Sequence, residues 1–244
     1  MIGNRTILAV IPARAGSKGI VDKNLRHLCG HPLIAYTIEA AKTAGCFDRI
    51  IVSTDSQEIA ETARAYGAEV PFLRPSHLAT DTAGTVDVVL HVHSWLEAHE
   101  AQTYESLCLL QPTSPLRTGT QVQDALVRFV SAHGADFLVS VCRVNESPYL
   151  MKLLTEDGYL RDVVPSPYRS SRRQDLPTVF RLNGAIYVAR TKALKAERSF
   201  DTPRTIGYEM DAATSVDIDE EADLKTAASI LESLNVSALR AQQK

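Results

Sequence analysis

Ile7-Leu8-Ala9-Val10-Ile11, followed at once by Pro12-Ala13-Arg14-Ala15-Gly16-Ser17-Lys18-Gly19, decides the fold. Five apolar residues in a row, without a polar residue at every second place, describe a strand buried on both faces. Pro12 and the two glycines then end it in a loop. In open α/β sheets a loop leaving the carboxyl end of a central strand is where ligands bind.

Working outward, the β-then-α rhythm repeats. A helix is expected from about Pro32, with Ile34, Ile38 and Ala41 on one face and Gly45 as its stop signal. Residues 49–53 read as a strand, and Asp55-Ser56-Gln57-Glu58 as the capped start of a helix that Gly67 closes. Residues 70–73 read as a third short strand, 85–99 as a helix and 106–110 as a strand. After Thr118, the residues Val122, Ala125, Leu126, Phe129 and Val130 fall at helical spacing, and 137–142 return to strand. The alternation predicts an α/β fold with a doubly wound, mostly parallel sheet. It breaks over residues 145–178, which hold four prolines, Gly158 and the basic residues Arg169, Arg172 and Arg173. That stretch reads as an arm inserted into a single domain covering residues 1–244. Residues 180–190 and 214–219 read as the last strands, and 221–234 as a C-terminal helix.

Bulk properties narrow the function. With 45% hydrophobic and 23% charged residues, the 244-residue chain has the make-up of an ordinary globular protein. A net charge of -3 argues against sequence-independent nucleic-acid binding, which needs a broad basic surface. Cys29, Cys46, Cys108 and Cys142 are widely separated, with neither a C-x-x-C pair nor histidine at ligand spacing, so neither a zinc site nor a disulfide framework is expected. The run at 7–11 is too short for a secretory core or a membrane span. A cytoplasmic protein with small-molecule partners is the expectation.

Four groups of residues could carry chemistry. The opening loop supplies Arg14, Lys18 and Lys23 around two glycines, a composition suited to cradling phosphates, although both the P-loop and the dinucleotide spacings are absent. Ser215-Val216-Asp217-Ile218-Asp219, read as a strand, puts two carboxylates on one side where they could hold a divalent cation; Asp219 could equally cap the following helix. Gln111-Pro112-Thr113-Ser114-Pro115-Leu116-Arg117 leaves another strand end, with Gln111 able to donate to and accept from a polyhydroxylated ligand, or forms only a proline-rich turn with Arg117 on the surface. Arg172-Arg173 and Phe180-Arg181-Leu182-Asn183-Gly184-Ala185-Ile186-Tyr187 bring guanidinium forks suited to a carboxylate, or plain surface charge. Arg74 and Thr85 follow a further expected strand edge, where a base or ribose could be held.

Taken in order, these blocks resemble the acylneuraminate cytidylyltransferases. The pattern A-R-x-x-S-K-G-x-x-x-K-N is complete at Ala13-Arg14, Ser17-Lys18-Gly19 and Lys23-Asn24. Similar strings recur at Ile51-Val52-Ser53-Thr54-Asp55, Leu73-Arg74-Pro75, 110–117, 183–187 and 217–219. The resemblance implies a nucleotide-diphospho-sugar transferase fold, Rossmann-like in its winding, and a homodimer formed through the arm. It implies that Arg14, Ser17, Lys18, Lys23 and Asn24 hold the phosphates of CTP, with Arg14, Lys23 and Asp217 at the reacting centre. Arg74 and Thr85 would then lie near the cytidine. Gln111, Arg173, Arg181, Asn183 and Tyr187 would contact a nonulosonic sugar acid, and Asp217 and Asp219 would bind Mg²⁺. A further sugar-site lysine would fall near Lys152. The implied substrate is a sialic, legionaminic, pseudaminic or deaminated sialic acid. A glycosyltransferase that uses Asp217-Ile218-Asp219 as a metal-binding D-x-D, and a non-catalytic nucleotide-binding regulator, are the readings from other classes.

Overall fold

The computed structural model describes residues 5–17, 19–165, 167, 168 and 171–241, with side chains described through residue 234. In chain order its elements are β1 (Ile7–Pro12), β2 (His27–Leu28), β3 (His31–Pro32), α1 (Leu33–Ala44), β4 (Arg49–Ser53), α2 (Gln57–Ala65), α3 (Thr85–Glu100), β5 (Ser106–Leu110), α4 (Gly119–Ser131) and β6 (Phe137–Arg143). There follow β7 (Lys152–Leu154), β8 (Leu160–Asp162), β9 (Phe180–Arg190), α5 (Thr191–Glu197), β10 (Thr205–Met210) and α6 (Glu221–Ala241).

The central sheet has the order β10-β6-β9-β5-β1-β4. β9 runs antiparallel to both neighbours, and the other neighbouring pairs are parallel. β1 is buried on both faces for the reason its composition suggests. Ile7, Ala9 and Ile11 enter a core with Ile34, Ile38, Val122, Leu126 and Phe129 of α1 and α4. Leu8 and Val10 enter the opposite core with Val89, Val92 and Leu96 of α3 and Leu194 of α5. Helix starts follow their capping chemistry: the Ser56 side chain accepts from the Ile59 amide, and Thr118 with Gln121 forms a reciprocal capping box.

Two expected strands need correction, and one strand is added. Residues 70–73 are not a strand; only an isolated bridge from Glu69 to Ile51 forms there, because Pro71 has no amide hydrogen to extend the ladder. Residues 214–219 are not a strand either. They are a short turn of 3₁₀ helix (Ala212–Thr214) and irregular backbone, tied to the β5 side by the Ile218 amide donating to Thr113 O at 2.8 Å. The actual last strand is β10, at the sheet edge beside β6.

Within residues 145–178, β7 and β8 form a two-stranded antiparallel hairpin separate from the central sheet. Leu153, Leu154, Tyr159 and Leu160 on it are all exposed. No helix among the described residues is long and apolar enough to cross a membrane.

Candidate active site

From β1 the chain passes to β4 on one side and later to β5 on the other, so the winding direction reverses between β1 and β5. At such a switch point the connections diverge and leave a crevice at the strand ends. A cleft of about 420 Å³ opens there, lined among others by Arg14, Ser17, Lys23, Asn24, Arg74, Asp81, Thr85, Gln111, Asp217 and Asp219.

Residues nearly two hundred positions apart meet in this cleft because an apolar cluster holds their neighbours. Ile20 of the opening loop and Ile218, between the two aspartates, pack together with Leu28, Leu33, Leu116 and Leu224. Backbone contact is equally close: a Cβ on Gly19 would stand 2.2 Å from Asp219 O, so only glycine fits. Lys23 Nζ donates to Ile218 O at 2.7 Å and to Asp219 Oδ1 at 3.1 Å. The loop is braced from behind, where Asn24 Nδ2 donates to Arg14 O at 3.0 Å and Ala15 N to Asp55 Oδ1 at 2.9 Å. Arg14 reaches across the mouth to Asp81 Oδ1 at 2.5 Å.

The acidic pair is asymmetric. Asp219 is exposed and ion-paired with Lys23. Asp217 is half-buried and its Oδ1 has no hydrogen-bond partner. Burial raises the Asp217 carboxyl above its ordinary range and nearby Asp219 adds to this, whereas Thr113, Lys23 and Arg181 act in the opposite direction. The Asp223 carboxylate, in the first turn of α6, reaches back to accept from the amides of Asp219 and Glu220. Among the described residues no group of three or more His, Cys, Asp or Glu is placed to hold a metal. Mg²⁺, however, is typically held by one or two carboxylates together with substrate phosphates. The orphaned Asp217 oxygen and the adjacent Asp219, facing a cationic loop, fit that donor set.

Arg74 is buried against Ser53, donating through Nε to Ser53 Oγ at 3.0 Å and through Nη2 to the Ser53 carbonyl. Burial lowers its guanidinium to about 10. The remaining candidates lie outside the cleft lining. Asn183 is buried and committed: its Oδ1 accepts from Ser140 Oγ at 2.6 Å and its Nδ2 donates to Ser215 Oγ at 2.9 Å. It therefore braces the segment that leads to Asp217 and does not face solvent. Tyr187 is half-buried against Phe200, with its hydroxyl raised by burial and then by Asp217. Arg181 donates to Ser215 O at 3.2 Å. Arg173 donates to Asn145 O at 2.9 Å in a separate cleft within the arm, and Lys152 pairs with Asp162 across the hairpin. Lys18 and Arg169 lie outside the described residues.

Two features of the site escape sequence reading. Asp81, in a loop with no motif, supplies the carboxylate facing Arg14. Arg117, which the sequence leaves open between a ligand-side block and a surface turn, is 3% exposed. Only contacts with Thr37 and Ala185, distant in sequence, reveal it.

A doubly wound sheet whose switch-point crevice sets basic residues over paired carboxylates defines a nucleotide-handling α/β protein. The profile of the cytidylyltransferase family matches residues 8–240, and the chain belongs to that family. An N-acylneuraminate cytidylyltransferase of Streptococcus agalactiae serotype V is 38% identical over 218 residues, which is 88% of this chain and 51% of that protein. The chain thus spans about half the length of that relative. The CMP-N,N'-diacetyllegionaminic acid synthase of Legionella pneumophila is 38% identical over 240 residues, covering 96% of this chain and 99% of that protein. A solved structure of CMP:2-keto-3-deoxy-manno-octonic acid synthetase complexed with CTP shares the fold, with a TM-score of 0.68 at 18% identity over 93% of this chain and 99% of that one.

Proposed function

We propose that the protein transfers CMP from CTP to the anomeric hydroxyl of a sialic-type nonulosonic acid, releasing pyrophosphate, as a Mg²⁺-dependent cytoplasmic homodimer. The observation that carries this reading is the convergence of Arg14, Lys23 and Asn24 with Asp217 and Asp219 in one cleft at the switch point. The names of the relatives favour a nine-carbon sugar acid as acceptor.

In the proposed reaction the sugar hydroxyl oxygen bonds to the α-phosphorus of CTP, the bond from that phosphorus to the bridging oxygen breaks, and the hydroxyl proton is lost. Arg14 and Lys23 carry full charges that offset the negative charge gathering on the phosphate oxygens and the departing pyrophosphate. Ser17 adds a hydroxyl to the cradle, and Asn24 keeps its backbone in place. Arg74 and Thr85 face the nucleoside, with Arg74 held rigid by Ser53. Gln111 receives sugar hydroxyls, while Tyr187 and Arg181 flank that end and Asn183 fixes the segment beneath it. Asp217 and Asp219 would hold the metal, which supplies charge neutralisation on the triphosphate when bound. Neither Arg173 nor Lys152 reaches the cleft within one chain. The exposed apolar hairpin supports dimerisation through residues 145–178, since a contiguous apolar surface of this kind marks an interface.

The test is a pyrophosphate-release screen of four nucleotides against a panel of nonulosonic acids. CTP should be strongly preferred, and product should appear only when a nonulosonic acid is present. Binding of CTP without turnover against every acceptor would refute the activity. Asp217→Asn should lower turnover at saturating CTP by about 10²-fold or more. Leu154→Glu with Leu160→Glu should convert a dimer to a monomer in light scattering; an unchanged mass would remove the hairpin from the interface.

A further inference from the structure

The β5–β9 ladder runs from Ser106↔Arg190 to Leu110↔Ile186 and stops one residue short of Gln111. On its other side β9 loses register with β6 between Val139 and Val141. Residues 183–185 are therefore released from regular pairing on both sides where they pass under the cleft. A Cβ on Gly184 would lie 3.0 Å from Gln111 Oε1 and 3.6 Å from Asp217 Oδ2, so this backbone forms the floor beneath both side chains. Side chains take over the missing hydrogen bonds. Ser140 Oγ accepts from Ile186 N at 2.7 Å, and Asn183 Oδ1 accepts from Ala185 N at 3.3 Å.

The remaining carbonyls go to Arg117. Its Nη1 donates to Gln111 O at 3.1 Å and to Ala185 O at 2.8 Å, and its Nη2 donates to Thr37 Oγ at 2.6 Å. The guanidinium takes the place of the next rung of the sheet and joins β5, β9 and α1 through one planar fork. Its hydrogen-bond partners are two carbonyls and a hydroxyl, and Nε has no hydrogen-bond partner. For stability alone, an apolar side chain of similar volume often serves a buried site as well as or better than a charge. What an apolar side chain cannot do is bind two strand-end carbonyls in fixed geometry.

We propose that Arg117 is a positioning residue for the acceptor half of the site: by clamping the carbonyls of Gln111 and Ala185 it sets the Gln111 amide and the Gly184 floor against which the sugar acid docks. This rests on the reading of Gln111 as a sugar contact. The nucleotide half, built on the opening loop and Arg74, does not depend on the clamp.

Arg117→Met and Arg117→Lys in the full chain test it, using the nonulosonic acid that the unmodified enzyme turns over fastest. Arg117→Met should raise the KM for the sugar acid about tenfold or more, with the KM for CTP within about twofold, and Arg117→Lys should recover part of that loss. Independently of turnover, hydrogen exchange at the Ala185 and Ile186 amides should quicken about tenfold or more in Arg117→Met. If the unmodified enzyme turns over no sugar acid, the functional reading fails while the exchange measurement still decides the clamp. Equal rises in both KM values, or unchanged exchange at those amides, would overturn the proposal. Should Arg117→Met not fold, Thr37→Val removes one partner and should raise the sugar KM about two- to fivefold; an unchanged value would be equally fatal.

Discussion

The loop side of the cleft and its floor handle positive charge in opposite ways. On the loop side Arg14 and Lys23 are each paired with a partly exposed carboxylate, Asp81 and Asp219. Beneath the floor Arg117, and on the nucleoside side Arg74, are buried and bonded to carbonyls and hydroxyls. The Arg14–Asp81 pair, about a third exposed on each side, is weak and can be exchanged for a phosphate at small cost, whereas Lys23 is also held by the Ile218 carbonyl. A buried guanidinium on carbonyls cannot leave without orphaning them. Arg14, meant to meet a polyanion, is thus kept exchangeable, and groups meant to shape the pocket are kept fixed.

The largest disturbance to this contrast should come from forcing the loop away from the acids. Gly19→Ala would bring its Cβ to 2.2 Å from Asp219 O, a backbone atom that can yield only by moving the acidic segment. Displacing reacting groups by about 1 Å can cost about 10²-fold, so turnover in pyrophosphate release should fall by that order. Turnover within twofold of the parent would mean that the two segments need not touch.

The floor should respond differently to Gly184→Ala. Gly184 has a φ of +74°, a conformation that costs a residue with a Cβ about 1–2 kcal/mol. Chemical denaturation should show a stability loss of that size. Because the new methyl would crowd Gln111, the sugar KM should rise while the CTP KM stays nearly constant. A rise confined to CTP would reverse the assignment of the two halves.

How far this contrast is legible in the sequence follows from the range of the interactions involved. β1 is visible because an unbroken apolar run is a local signal of burial on both faces, and α4 because its apolar spacing and Thr118 cap are local too. β10 carries a local signal that the alternation of βα units does not require: Ile206, Tyr208 and Met210 alternate with Thr205, Gly207 and Glu209, the period of an edge strand buried on one face. The expectation that Asp217 and Asp219 share one side of a strand fails, yet both line the cleft, because Ile218 anchors irregular backbone between them. The opening loop's charge is likewise local and legible. Arg117 is opaque, since two of its three partners, Thr37 and Ala185, lie 80 and 68 residues away.

A smaller effect tests exchangeability itself. The Arg14–Asp81 pair is about a third exposed on each side, so its worth is discounted by solvent to about 0–1 kcal/mol. Asp81→Asn removes the negative charge that competes with the triphosphate for Arg14. The KM for CTP should therefore fall by up to about fivefold, and the sugar KM should not move. Weaker CTP binding in this variant would mean that the carboxylate aids the nucleotide and does not compete with it.

The smallest effect sharpens the comparison from outside the cleft. His93 on α3 is 2% exposed and neither ring nitrogen has a hydrogen-bond partner, although Glu97 Oε2 lies 3.7 Å from Nδ1. Burial lowers its pKa below the ordinary histidine value and Lys195 adds to this, while Glu97 opposes. The unfolded chain therefore takes up a proton before the folded one does as pH falls. Stability is full above about pH 6.5 and is lost as pH drops from there through the lowered folded value. His91 is shifted in the same direction by burial and by His77 and Arg74, so it contributes a parallel loss. His93→Phe should flatten part of the decline in Tm between neutral and mildly acidic pH, with both KM values at neutral pH within about twofold of the parent. The same burial that makes Arg117 a kinetic residue would then make His93 only a stability residue, because no backbone of the cleft hangs from its ring. A change in the sugar KM on replacing His93 would break that distinction and require α3 to act on the floor through the sheet.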